Sequence, residues 1–236
     1  MTIKQIFILI IINLLNANSF GTPLLNNDCQ IVQHTAYTAC YSEVHEQSYW
    51  VSYSLYREQL KGITFASRDG KEYIPDLQVT TESANVFDYQ YSGYDRGHLM
   101  PAKDAEWSNH TIDESFQFTN ISPQLADFNR GIWKRLENKV REWTIQNGKI
   151  DIVTGPILTG TYNTIGPNKV SIPDYFYKVL LIYSESDTTG IGFIMPNQKS
   201  DFDIMLYSLT IDSVEAFSGI DFFPSLPDKL EKTVEK

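Results

Sequence analysis

Apolar and polar positions along the chain change period several times, and each change marks an element. Tyr49 to Tyr56 is dense in aromatic and β-favouring residues and predicts a strand. Phe116 to Ile121 alternates apolar with polar in the same sense, and Ser122-Pro123-Gln124 is expected to break it. Next comes the clearest helical pattern. Phe128, Ile132, Leu136, Val140 and Trp143 recur at spacings of four, four, four and three, so a helix is expected from Ala126 to Gln146, with Gly148 as its stop. Lys149 to Val153, Tyr175 to Tyr183 and Gly190 to Met195 predict three more strands, the second apolar enough to be buried at its centre. A last helix is expected around Ser213 to Phe217, capped by Asp212 or Ser213 and ended by Gly219. Several strands interrupted by one long and some shorter helices imply an α+β fold with a mixed or antiparallel sheet.

The first twenty residues have another pattern. Lys4 precedes the unbroken apolar run Ile6 to Ile12, Leu14 and Leu15 extend it, and Ala17, Asn18 and Ser19 follow. That is the form of a secretory signal peptide, so a cleaved leader over 1–20 and export to the periplasm or medium are expected. The run is short for a membrane span and interrupted at Asn13, an uncleaved anchor is the alternative, and no stable membrane association is expected after cleavage. Residues 21–48 then form an N-terminal arm and 49–236 a single domain. The two cysteines, Cys29 and Cys40, are expected to pair in an oxidising compartment.

Charge adds a constraint. The formal net charge is −10, or −11 once Lys4 is removed with the leader. Such a chain cannot attract a polyanion through its overall field and needs a local basic patch to do so. The stretch from Arg130 to Lys149 carries six bases and two acids, a local charge of +4 that includes Arg130, Lys134 and Arg135. A solvated helix face and a polyanion-binding strip are both open on this pattern.

The densest chemistry lies at Tyr94-Asp95-Arg96-Gly97-His98-Leu99-Met100-Pro101. Side chains alternate along an extended segment, so Arg96 and His98 point one way and Asp95 the other. An arginine beside a histidine suits a reaction that holds an anion and removes a proton from water or a hydroxyl. Cleaving a phosphodiester also requires charge stabilisation at phosphorus, which a hard divalent cation such as Mg²⁺ supplies while keeping several waters. The amide oxygen of Asn129 is an acceptable ligand, although spacing alone does not select it. On a continuous helix Glu137 lies two turns on, about 12 Å along the axis.

Asp95-Arg96-Gly97-His98, Asn120-Ile121-Ser122-Pro123-Gln124 and Asn129-Arg130-Gly131-Ile132-Trp133-Lys134-Arg135-Leu136-Glu137 together resemble the signature of the DNA/RNA non-specific endonucleases, the ββα-metal family. The resemblance runs from about Trp50 to Phe223. It implies DNA and RNA substrates and a Mg²⁺ (or Mn²⁺) cofactor. It matches His98 to the general base, Asn129 to the direct metal ligand and Glu137 to the acid that holds the metal's water. It matches Arg96 to an arginine near the scissile phosphate, Asn120 to a residue that helps position the site, and Arg68 to a further phosphate-binding arginine. Arg130, Lys134 and Arg135 are the expected substrate-binding strip. Phosphate contacts carry no sequence information, so little base specificity is expected. A homodimer is compatible with all of this. A metal-dependent phosphodiesterase on another substrate and a non-catalytic nucleic-acid-binding module are the competing readings.

Overall fold

In the computed structural model, residues 21–25, 28–62, 65–184 and 187–235 are described, and the expected leader lies outside them. Seven strands make one sheet, in the order Ser208–Leu209, Thr188–Pro196, Tyr175–Tyr183, Lys149–Pro156, Gln47–Tyr56, Thr38–Ser42 and Gln30–Gln33. Every neighbouring pair is antiparallel. The α+β expectation therefore holds, with the sheet antiparallel throughout.

Both faces of this sheet are covered, which is why its central strands are buried at almost every position. Along Tyr175–Tyr183 the even positions Phe176 and Leu180 join a core with Phe128, Ile132, Trp133, Leu136 and Val140. The odd positions Tyr177, Val179 and Leu181 join a second core with Ile211, Val214, Phe222, Phe223 and Val234. One even position breaks the pattern. Lys178 is fully buried, with its ammonium 4.9 Å from the centre of the Trp133 ring. The expected N-terminal arm is also drawn into this body, since its two strands complete one edge of the sheet. Cys29 and Cys40 are bridged there.

Two sequence expectations are corrected. Phe116 to Ile121 is not a strand. Phe118–Asn120 forms a 3-10 turn, and the strand is Ile121–Gln124, the segment expected to end it. The alternation reflects burial of Phe116, Phe118 and Ile121. Pro123 is tolerated because its ladder has only two strands, so each keeps an open edge where a missing N–H costs nothing. The long helix is also not continuous. Phe128–Trp133 winds as a wider π turn, Gly131 departs from helical angles (φ −100°, ψ −111°), and the regular helix is Lys134–Asn147. The apolar stripe survives the break because Phe128, Ile132, Leu136 and Val140 all still face the sheet. The helix expected around Ser213 to Phe217 runs over Ile211–Ser218, capped by the Thr210 hydroxyl instead of Asp212 or Ser213 and closed by Gly219 at φ 72°, where a left-handed residue is required. It is not the last, since Asp228–Val234 forms a further helix. Among the described residues no helix is long and apolar enough to cross a membrane.

Candidate active site

A short hairpin carries the densest motif. Asp95–His98 pairs antiparallel with Ile121–Gln124, Gly97 lying opposite Ser122 and His98 opposite Ile121. Gly97 allows a close approach, since a Cβ there would sit 2.2 Å from Cδ of the buried Gln124. Asn120 fixes the turn that follows His98. Its Nδ2 donates to the Met100 and Ser115 carbonyls (both 2.9 Å), and its Oδ1 accepts the Met100 N–H at 2.8 Å. Asn120 is fully buried and does not line the cleft, so it positions the motif and is out of reach of a substrate.

The hairpin and the π turn border a cleft of about 810 Å³ lined by Arg68, Tyr73, Tyr89, Tyr94, Asp95, Arg96, His98, Lys103, Glu106, Asn129, Arg130, Lys134, Glu137, Asn138 and Arg141, among others. Six cationic and three acidic side chains make it positive, in a chain whose net charge is −10. Arg68, Arg96, Lys103 and Lys134 form no ion pair among the described residues. Tyr73 forms a supporting wall, with the Arg96 guanidinium carbon 5.1 Å from its ring centre and the His98 ring at 5.5 Å. Phe116 closes on His98 edge-to-face at 4.9 Å, and the Arg68 guanidinium carbon lies 6.0 Å from the same phenyl ring.

Burial in this aromatic setting, with the positive charge of Arg68 nearby, lowers the His98 pKa to about 3. Its Nε2 is buried and makes no hydrogen bond. The ring is therefore neutral at ordinary pH and holds an uncommitted nitrogen. That is the protonation state a proton acceptor needs.

Asp95 organises the π turn. Its carboxylate accepts Arg130 Nε at 2.8 Å and Nη2 at 2.6 Å, and Asn129 Nδ2 at 2.9 Å. Burial raises the Asp95 pKa, but hydrogen bonds from Arg130 and Asn129 outweigh that and hold it below the usual carboxylate range. A carboxylate can only accept, so the Asn129 amide must turn its NH₂ toward Asp95. Asn129 lines the cleft, and its Oδ1 is left as a free acceptor that accepts nothing among the described residues.

Glu137 also reaches the cleft, with no hydrogen bond to its carboxylate among the described residues. Burial pushes its pKa up, and the positive charges of Lys178 and Arg141 oppose that shift. Behind it, Arg141 donates to Asp104 (2.7 Å) and to Asn138 (2.7 Å), and Tyr53 donates to Asp104 (2.9 Å). The donor set suits a hard divalent cation: an unpartnered amide oxygen, an unpartnered carboxylate, and no thiolate or second imidazole to favour a softer ion.

The basic strip expected on the helix does not form as one surface. Arg135 lies outside the cleft and donates to the Ser200 carbonyl at 2.8 Å. Lys139 pairs with Glu142, Lys149 with Asp151 and Arg141 with Asp104. Arg130 lines the cleft but is held by Asp95, which leaves Lys134 as the helix's unpaired cation there. Lys103, Tyr73, Tyr89 and the Tyr53–Asp104–Arg141 network were not legible as site residues. Lys103 directly follows the dense motif, yet nothing in the sequence shows which way its 3-10 turn faces.

Two strands and a helix around a positive cleft, with a neutral histidine on the first strand and an amide oxygen presented from the turn into the helix, have the architecture of ββα-metal phosphodiester hydrolases. Comparison with known proteins agrees. The family model for DNA/RNA non-specific endonuclease matches residues 16–229. "Nuclease EXOG, mitochondrial" of Danio rerio is 32% identical over 223 residues, 88% of this chain and 64% of that protein. "Endonuclease G, mitochondrial" of Bos taurus is 30% identical over 211 residues, 84% of this chain and 70% of that protein. The crystal structure of an EndoG/EndoGI complex superposes with a TM-score of 0.84 at 29% identity, covering 95% of this chain and 96% of that one. The chain belongs to the DNA/RNA non-specific endonuclease family, whose members are generally dependent on a divalent metal. It spans just under two thirds of the zebrafish relative.

These relatives correct the expected address. Several are named as mitochondrial nucleases, which overturns the expected secreted or periplasmic location.

Proposed function

We propose that this chain hydrolyses phosphodiester bonds within both DNA and RNA, using His98 as general base and a single Mg²⁺ (or Mn²⁺) held by Asn129. The observation that carries the reading is the orientation of the Asn129 amide, clamped NH₂-first by Asp95 so that its oxygen is left free on a residue lining the same cleft as the neutral His98. Asn129 Oδ1 would hold the ion, and the Glu137 carboxylate on the same cleft would hold the ion's water. When bound, a divalent cation neutralises charge on the phosphate and assists the leaving oxygen.

The residues divide the remaining work. Arg96 and Arg68, neither tied to a carboxylate, take the phosphate oxygens. Lys134 and Lys103 extend the positive track for neighbouring phosphates. His98 removes a proton from water as the water oxygen attacks phosphorus, the bond from phosphorus to the leaving sugar oxygen breaks, that oxygen takes a proton from solvent water, and His98 releases its proton to solvent. The low basicity of His98 in the free protein also follows from this arrangement. Burial disfavours protonation of the ring most, and the charge of Arg68 adds to it. A phosphate docked on Arg68 offsets that charge, so the base gains affinity for a proton when substrate is in place. Asn120 and Asp95 act as positioning residues.

Cleavage of plasmid and of RNA, each measured with Mg²⁺, with Mn²⁺ and with chelator, tests the reading. Chelator-sensitive cleavage of both substrates, abolished by His98→Ala with nucleic-acid affinity retained, is expected. No chelator-sensitive cleavage of either substrate would overturn it, and would leave the binding-module or other-substrate readings.

A further inference from the structure

Away from the cleft, three acids converge where the last two helices meet. Asp212 and Glu215 stand one turn apart on Ile211–Ser218, and Glu235 follows the helix Asp228–Val234. One carboxylate oxygen from each lies within 4.8 Å of the other two. The Asp212 N–H donates to the Glu235 carbonyl at 3.0 Å, which fixes the approach. Glu235 is only 5% exposed, and its Oε1 is buried with no hydrogen-bond partner. Burial, and then repulsion from Glu215, Glu231, Asp212 and Asp221, pushes its pKa up to about 8. Burial and the surrounding acids raise Glu215 as well. No lysine or arginine among the described residues pairs with any of the three.

We propose that Asp212, Glu215 and Glu235 bind one Ca²⁺, a structural site separate from the catalytic cleft. Two oxygens held at the usual Ca²⁺ distance can be at most about 5 Å apart, and this cluster meets that limit. A set of carboxylates alone offers no nitrogen or sulfur to favour zinc. Mg²⁺ is the poorer fit, since it keeps most of its waters and demands a strict octahedron. The ion would neutralise three acids that otherwise repel, and would cross-link two elements whose apolar residues Ile211, Val214 and Val234 share one core. Its role is to pin the C-terminal helix to the sheet.

The test uses the full chain carrying Asn129→Ala, which weakens metal binding in the cleft. Ca²⁺ is titrated into metal-stripped protein and followed by calorimetry and by Tm. One Ca²⁺ per chain is expected, with Tm rising by roughly 5–10 °C at a concentration about a hundredfold above Kd. Asp212→Asn combined with Glu215→Gln should lose both signals while raising Tm in chelator, because like charges are removed. Should that pair unfold, Glu235→Gln alone must abolish the shift. No Ca²⁺ signal in the Asn129→Ala protein, or a signal that survives these substitutions, overturns the site. An equal shift with Mg²⁺ overturns the choice of ion.

Discussion

Asp95 offers the sharpest test of how the cleft is assembled, because one carboxylate orients Asn129 and restrains Arg130 at once. Asp95→Ala removes the one carboxylate, among the described residues, that holds the Asn129 NH₂ and so leaves its Oδ1 free. A hydrogen bond to a charged partner contributes roughly 1.5–3 kcal/mol. If that energy serves to hold the amide orientation, its loss lowers the correctly oriented population by about ten- to a hundredfold. The flipped amide would point N–H donors at a cation. The expected outcome is a Mg²⁺ titration of plasmid cleavage shifted to higher metal and a rate reduced within that range, while Tm changes little because the Arg130 partner is exposed. Asp95→Asn retains one neutral acceptor and should fall between. Arg130→Ala is the control, since it leaves the Asp95–Asn129 bond intact and should raise KM without moving the Mg²⁺ midpoint. Parental metal dependence in Asp95→Ala, or an equal metal defect in Arg130→Ala, would refute the reasoning. The sign with pH is also fixed. The native Asp95 pKa is lowered, so the contact is complete above the ordinary carboxylate pKa near 4 and is lost only as pH falls through the lower native value.

Other outcomes follow from the same geometry. In an NMR titration of the free protein, His98 should show no protonation between pH 8 and 5; a midpoint near 6.5 would remove the buried, Arg68-facing environment. Because the unfolded chain takes up a proton there that the native ring refuses, His98 should make folding less favourable as pH drops from about 6.5 toward 3. Gly97→Ala must displace Gln124 and should cost about 1–3 kcal/mol as well as lowering the cleavage rate, so an unchanged Tm would sink the close-approach argument. Replacing Cys29 and Cys40 with serine opens a bridge of sequence separation 11 and should cost about 3 kcal/mol with specific activity retained; no loss of Tm would refute it. Substrate affinity should fall steeply with added salt, by about a hundredfold between 50 and 200 mM if four unpaired cations contact duplex phosphates, and salt-independent binding would contradict that.

The sequence carried more of the chemistry than of the shape that delivers it. His98, Arg96 and Asn129 were picked out by the motifs, and all three line one cleft. Strands such as Tyr175–Tyr183 were legible because long apolar runs leave few other fates. The Ala126–Gln146 helix misled at its start because a π turn keeps Phe128 and Ile132 on the buried side, so an apolar stripe cannot reveal that the backbone has been re-aimed between them. That re-aiming invalidates any distance from Asn129 to Glu137 measured with a helical ruler. Asn120 illustrates a different limit. Its motif was legible, but only the fold shows that all its hydrogen-bonding capacity is spent on backbone within the turn. Arg135 lies outside the cleft, on Ser200, and a basic side chain on a helix has no signature for which groove it faces.

The charge of the cleft explains how an acidic chain can work on a polyanion. Charges more than about 8–10 Å apart in salt are largely screened, so a phosphate at the cleft responds to nearby groups far more than to the net −10. The four unpaired cations come from separate places in the chain: Arg68 from an irregular segment, Arg96 from the hairpin, Lys103 from a 3-10 turn and Lys134 from the helix start. A scan for basic runs finds instead the stretch from Arg130 to Lys149, where most of the charge is already neutralised by acids. The pairing partners thus decide which cations are available. Asp95 and Asp104 restrain Arg130 and Arg141 in place, and Arg68, Arg96, Lys103 and Lys134 are left without acids among the described residues of the cleft. An acidic exterior adds a further effect, since it opposes non-productive adsorption of nucleic acid elsewhere on the surface and leaves the cleft as the favourable landing point.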